Sequence, residues 1–134
     1  MLYIGVDLGT SAVKLLLMDG SGRIHKVVSR EYPLYFPHPA WSEQNPEDWF
    51  TASMDGMKEL TSECDKSQVA GISFGGQMHG LVTLDQADEV IRPAILWNDG
   101  RSEKETDYLN QTIGKEKLSA YTANICLLYT SDAA

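Results

Sequence analysis

Seven residues, AVKLLLM (12–18), lie between a Gly-Thr-Ser break at 9–11 and an Asp-Gly-Ser-Gly break at 19–22, and that spacing narrows the fold more than any other feature of the chain. Ala, Lys, Leu and Met are strong helix formers, so propensity alone points to a helix. Length points the other way, because so short a run is unusual for a helix and usual for a strand. The apolar run LYIGVD before it ends in Asp7 and reads as a buried strand. RIHKVVSREY after it alternates well enough for a third strand, and Asp19-Gly20 between the two runs is hairpin chemistry. The first 32 residues therefore read as an antiparallel three-stranded meander. A strand, glycine loop and helix would have suggested a dinucleotide or nucleotide fold. DLGTSAVK contains neither GxGxxG nor GxxxxGK[ST], which excludes those two motifs.

The bulk of the chain fits a globular α/β protein. Its 134 residues suit one domain, and 43% hydrophobic with 22% charged residues supply a sizeable core. The net charge of −8 argues against a large nucleic-acid or anionic-membrane interface, which would need Lys and Arg. It leaves room for a small phosphate pocket made of backbone N–H groups. No apolar run approaches a membrane span, and MLYIGVD lacks the basic and apolar segments of a signal peptide. The two cysteines, Cys64 and Cys126, are far apart and form no disulfide or zinc framework, so a cytoplasmic location is expected.

PLYFPHPAWSEQNP holds four of the five prolines and reads as an irregular, extended connection. A helix follows, with Asn45 as N-cap, Pro46 in the first position and Glu47 and Asp48 complementing the dipole. Trp49, Phe50, Ser53, Met54, Met57 and Leu60 share one face at helical spacing, most simply a core stripe. QVAGISFGG reads as a central strand, GLVTLD as another, QADEV as a turn, and VIRPAILW as a third strand broken by Pro93. SEKETDYLNQTIG reads as a polar helix with Ser102 and Glu105 as a capping box and Gly114 as its stop, and KEKLSAYTA adds a short helix. The order β-β-β-α-β-β-β-α is that of a mixed α/β layer structure.

Three stretches could carry chemistry. In Asp7-Leu8-Gly9-Thr10-Ser11, Gly9 allows positive φ and close ligand approach, N–H groups can converge on an anion, Thr10 and Ser11 can donate to phosphate oxygens, and Asp7 can hold Mg²⁺ through water. An Asx-type turn closing a hairpin needs the same residues. In FGGQMHG (74–80), glycines bracket Gln77, Met78 and His79, a polar-apolar-polar triplet suited to a small polyol. A packed or surface His is the plain alternative. In WNDGR (97–101), Trp97, Asn98, Asp99 and Arg101 could form a sugar-binding rim, although Asn-Asp-Gly is equally strong turn chemistry. Ligands gather at strand ends in α/β sheets, so the three stretches strengthen one another.

YIGVDLGTSAVK resembles the opening of the sugar-kinase, actin and heat-shock-chaperone superfamily. Together with it, HPAWSEQNPEDWF, GISFGGQMHGLVTLD and RPAILWNDGR resemble the FGGY carbohydrate kinases, and within them most closely the xylulokinase group. The resemblance covers roughly residues 2 to 125. It implies a ribonuclease-H-like mixed sheet with flanking helices, truncated, and an ATP-dependent transfer of phosphate to D-xylulose, giving D-xylulose 5-phosphate. DLGTS becomes a hairpin turn, with Asp7 positioning Mg²⁺ and Gly9, Thr10 and Ser11 near the transferred phosphate. Met78 and His79 match the sugar-binding pair, and Gln77, Trp97, Asn98, Asp99 and Arg101 shape that side of the site.

The family's general-base Asp and its adenosine pocket belong to later segments that the resemblance does not reach. Residues 1–125 are then expected to be the N-terminal part of the first kinase domain, with the second domain absent and the fragment inactive alone. Residues 126–134 do not follow the family pattern and read as an artefactual tail. Apolar surface is expected to be uncovered around Leu81, Ile95 and Leu118, and a homodimer stays open for the full-length protein. Two other readings remain: a kinase of the same family for another sugar or polyol, and a non-enzymatic nucleotide-binding module of the actin type. GQMHG and WNDGR favour an enzyme, since an assembly module needs no sugar-facing residues.

Overall fold

The computed structural model describes residues 1–123. In chain order the elements are β1 (Leu2–Leu8), β2 (Ala12–Asp19), β3 (Ile24–Glu31), β4 (Glu43–Gln44), α1 (Pro46–Leu60), a 3₁₀ turn (Lys66–Gln68), β5 (Val69–Gly76), β6 (Ala94–Ile95), α2 (Glu103–Thr112) and α3 (Lys115–Thr122). The chain divides into two units: residues 1–33 with 46–77, and residues 34–45 with the segment that begins at 78. No helix among the described residues is long and apolar enough to cross a membrane.

The first unit is built on a four-stranded sheet of order β3-β2-β1-β5. β1, β2 and β3 form the antiparallel meander that the turn spacing predicts, while β5 runs parallel to β1. In β2, Val13, Leu15 and Leu17 are buried and join Ile4, Val6, Val28, Tyr32 and Leu60 in one core. This period of two is the signature of a strand, and burial of those three side chains overrides the helix propensity of the segment. The β2–β3 connection departs from a two-residue Asp-Gly turn. It spans Gly20–Arg23, and positive φ falls on Gly22 rather than Gly20. The Asp19 carboxylate organises it, accepting from Ser21 N (2.9 Å), Ser21 Oγ (2.6 Å) and Arg23 N (3.2 Å).

α1 starts at Pro46, where proline and the acids after it place it, and packs on β2 and β3. Its packed face differs from the apolar stripe read from the sequence. Phe50 and Met54 are exposed, while Trp49, Ala52, Gly56, Met57 and Leu60 turn to the sheet. Gly56 explains the rotation: a Cβ there would lie 2.6 Å from Leu15 Cδ1, so the helix meets the sheet through its glycine. β5 is an edge strand of the described sheet, not a central one. Ile72 and Phe74 register with Ile4 and Val6 in a parallel pair and so share the core face, yet they are 50% and 76% exposed because α1 covers only β2 and β3.

The second unit is held by short ladders. β4 pairs antiparallel with β6, and single bridges join Tyr35 to Glu43, Leu81 to Ile95 and Leu84 to Val90. GLVTLD and VIRPAILW therefore give isolated bridges and a two-residue strand instead of two full strands, while the proline-rich connection contributes β4. Asp85 accepts from Ala87 N (2.8 Å) and Glu89 N (2.9 Å), which makes 85–89 the turn expected there. Ser102 stands at the N-cap of α2 but makes no side-chain capping bond, so the capping box does not form. Gly114 takes φ +88° and separates α2 from α3. Ile95 and Leu118 are themselves buried and Leu81 is half-buried, while Val82, Leu84, Ile91, Ile113 and Tyr121 near them in sequence are exposed; Ile72 and Phe74 on β5 are exposed as well. The tail at 126–134 lies outside the described residues.

Candidate functional site

One group of candidate residues grows from the paired ends of β1 and β5. The two strands are parallel and finish together, with Asp7 opposite Gly75 and Leu8 opposite Gly76. A Cβ at Gly76 would lie 2.9 Å from Leu8 O, so the close pairing at this edge needs glycine. Gln77 continues the ladder, its N–H donating to Leu8 O (2.8 Å). Gly9, Thr10 and Ser11 turn back from this same edge into β2, closed by Gly9 N donating to Ala12 O (3.0 Å). Gly9 is not among the positive-φ residues, so its expected left-handed backbone is not found. What demands glycine there is space, since a Cβ would lie 3.1 Å from Ala12 O.

Asp7 lies on the sheet face opposite the core, exposed, and its carboxylate is in no hydrogen bond or ion pair among the described residues. Its carboxylate is open to a hydrated cation. No cluster of three or more metal-binding side chains exists among the described residues. Lys14 is its cross-strand partner in register and shares its face, a cation that the sequence reading left aside. Tyr32 also escaped it. The Tyr32 hydroxyl donates to Gly9 O and its N–H donates to Ser11 O (3.3 Å). Burial, with Asp7 nearby, pushes the phenol up to about 12.

A second group of candidate residues lies in the other unit. Met78 is 70% exposed, and His79 holds φ 61°, left-handed backbone that non-glycine residues adopt at a cost. Trp97 and Asn98 are exposed beyond β6, and Asn98 lines a cavity of about 410 Å³ with Phe36, His38, Trp41 and Ser42. Asp99 and Arg101 do something else. Asp99 has no exposed surface and accepts from Ser42 N (2.6 Å), Arg101 N (2.9 Å), Arg101 Nε (2.8 Å) and Arg101 Nη2 (2.7 Å). Arg101 also reaches Glu43 Oε1 (2.8 Å), as Arg92 does (2.9 Å), and its guanidinium stacks 3.8 Å from the Trp41 ring centroid. Burial works to raise the Asp99 carboxyl, but bonds from Arg101 and the Ser42 amide outweigh it and hold the group below the usual carboxylate range. Asp99 and Arg101 are thus committed to one another and set the loop that presents Trp97 and Asn98.

A sequence model of the N-terminal domain of the FGGY family of carbohydrate kinases matches residues 2–133. The chain belongs to that family. Among curated FGGY relatives, a xylulose kinase of Klebsiella pneumoniae is 41% identical over 87% of this chain and 24% of its own length. One of Bacillus subtilis is 44% identical over 86% of this chain and 23% of its own. The solved structure of a "xyloylose kinase" from Brucella ovis superposes with a TM-score of 0.87 at 39% identity, over 97% of this chain and 27% of that one. The FGGY chain described here spans about a quarter of the length of these relatives. The superposition identifies its mixed sheet and flanking helices as the truncated opening of the actin-like sugar-kinase fold.

Proposed function

We propose that this chain is the opening part of an ATP-dependent kinase that phosphorylates a ketopentose, D-xylulose in the first instance, and that it needs the remainder of a full-length FGGY protein to act. The observation that carries the reading is the shared edge of β1 and β5. There an open Asp7 carboxylate, the Gly9–Ser11 turn and the start of the Gln77-Met78-His79 segment all leave the sheet. Ligands of open α/β sheets bind at such carboxyl ends. The names carried by the relatives supply the substrate class.

In this reading Gly9, Thr10 and Ser11 face the transferred phosphate and Asp7 helps to hold Mg²⁺. Bound MgATP supplies the phosphoryl group and neutralises its charge. Phosphoryl transfer depends mainly on alignment and on electrostatics, so this chain's part is positioning. Met78 gives an apolar wall, His79 and Gln77 meet sugar hydroxyls, and Trp97 and Asn98 form the rim that Asp99 and Arg101 set. No residue among 1–123 is given the task of accepting the hydroxyl proton.

The test is the full-length reading frame containing these residues, assayed for sugar-dependent ADP formation with D-xylulose, D-ribulose, gluconate and glycerol. D-Xylulose is expected to be preferred, and His79→Ala and Met78→Ala to raise its KM about tenfold or more while leaving the KM for ATP in place. Preference for gluconate or glycerol would move the substrate assignment elsewhere in the family. Absence of sugar-dependent turnover would remove the kinase reading.

A further inference from the structure

We propose that Tyr32 is a positioning residue for phosphoryl transfer, holding the Gly9–Ser11 turn in shape from the core side; the inference rests on the kinase reading above. Tyr32 follows β3 and belongs to the buried core, only 7% exposed. A buried tyrosine needs a partner for its hydroxyl, and this one donates to the carbonyl of Gly9. Its backbone N–H donates to the carbonyl of Ser11 (3.3 Å). One residue just after the third strand therefore engages the turn at both ends.

An anion beside a peptide turn is attracted by N–H groups and repelled by carbonyl oxygens. Gly9 O shares its peptide with Thr10 N–H, and Ser11 O stands at the other end of the turn, in the peptide that leads into β2. Bound to Tyr32, both carbonyls are occupied, and neither can swing toward a phosphate without breaking a bond inside the core. Position 9 is also confined by the closeness of Ala12 O, so the turn has little slack. The phenol stays protonated across the neutral range, and its role as donor does not fade there.

The experiment compares parent, Tyr32→Phe and Tyr32→Leu in the full-length enzyme. Tyr32→Phe removes the hydroxyl and leaves the ring, while Tyr32→Leu removes the ring as well. Steady-state kinetics are read together with amide hydrogen exchange of residues 8–12 and of α1. The expected result for Tyr32→Phe is a kcat lower by about tenfold, a KM for D-xylulose within about twofold of the parent, and exchange about tenfold faster at 8–12 with α1 unchanged, the scale of one lost hydrogen bond. Parent-like kcat and exchange in Tyr32→Phe would overturn the proposal, including the case in which only Tyr32→Leu is impaired. So would a general rise in exchange through α1 with kcat and both KM values moving together, since that marks packing alone. A parent enzyme without sugar-dependent turnover would show that the kinase reading itself had failed, and the proposal falls with it.

Discussion

Asp99 is the residue whose loss the molecule would feel most directly. It is fully buried, and its partners come from two places, Arg101 beside it and the Ser42 amide 57 residues earlier. Asp99→Asn removes the charge and leaves Arg101 facing Glu43 alone, and breaking one side of a buried pair costs about 3 kcal/mol or more. Urea unfolding followed by Trp fluorescence should show that loss. The pH dependence follows from the direction of the shift. The folded carboxyl binds protons less readily than the unfolded one, so its contribution is complete above the ordinary Asp value of 3.8 and disappears as pH falls through the lower folded value. Asp99→Asn should therefore flatten the loss of stability below about pH 4. WNDGR marks this loop in the sequence, but Asp99 and its rim neighbours look alike there. Which side chain faces inward is decided by Ser42, and no local pattern links two residues so far apart. Tyr32 was hidden for a similar reason, because it reads as the end of an alternating strand.

At the scale of elements, spacing and turn chemistry were enough for β1, β2, β3 and the start of α1. They failed where a contact with another element chose between similar local options. The six positions placed on one face of α1 span a wide arc, and the sheet took one side of it together with Ala52 and Gly56 just beyond its edge. Gly56→Ala tests that selection. Alanine gains about 1 kcal/mol in helix propensity, but its methyl would overlap Leu15 Cδ1, and that fully buried side chain must shift within a packed core. A net loss of about 1–2 kcal/mol is expected by thermal unfolding, opposite in sign to the same change on an exposed helix face. Ser102 makes the converse case. An N-cap serine is ordinarily worth about 1 kcal/mol, yet this one forms no capping bond. Ser102→Ala should lie within about 0.5 kcal/mol of the parent in chemical denaturation. GLVTLD has strand composition but finds only isolated bridge partners, which is why its alternation did not become a strand.

For the molecule as a whole, fold class and family were legible from four short motifs, while only part of its bare surface was. Exposed apolar side chains follow Leu81 (Val82, Leu84, Ile91), and Ile72 and Phe74 on the core face of β5 add a pair that composition did not single out. An edge strand with uncovered apolar side chains invites self-association. The isolated chain should show concentration-dependent light scattering. Phe74→Ser with Ile72→Thr should raise the concentration at which association begins by about tenfold. The order in which the chain visits its two units has another effect. Residues 34–45 are synthesised early, between two parts of the first unit, but Ser42 must wait for Asp99 and Trp41 for Arg101. At ribosomal speeds that wait lasts about 3–11 s. During it Trp41 is on a nascent chain without the guanidinium that later stacks on it, and the Ser42 amide without its carboxylate, so this stretch takes its final form only after the first unit's meander has been made.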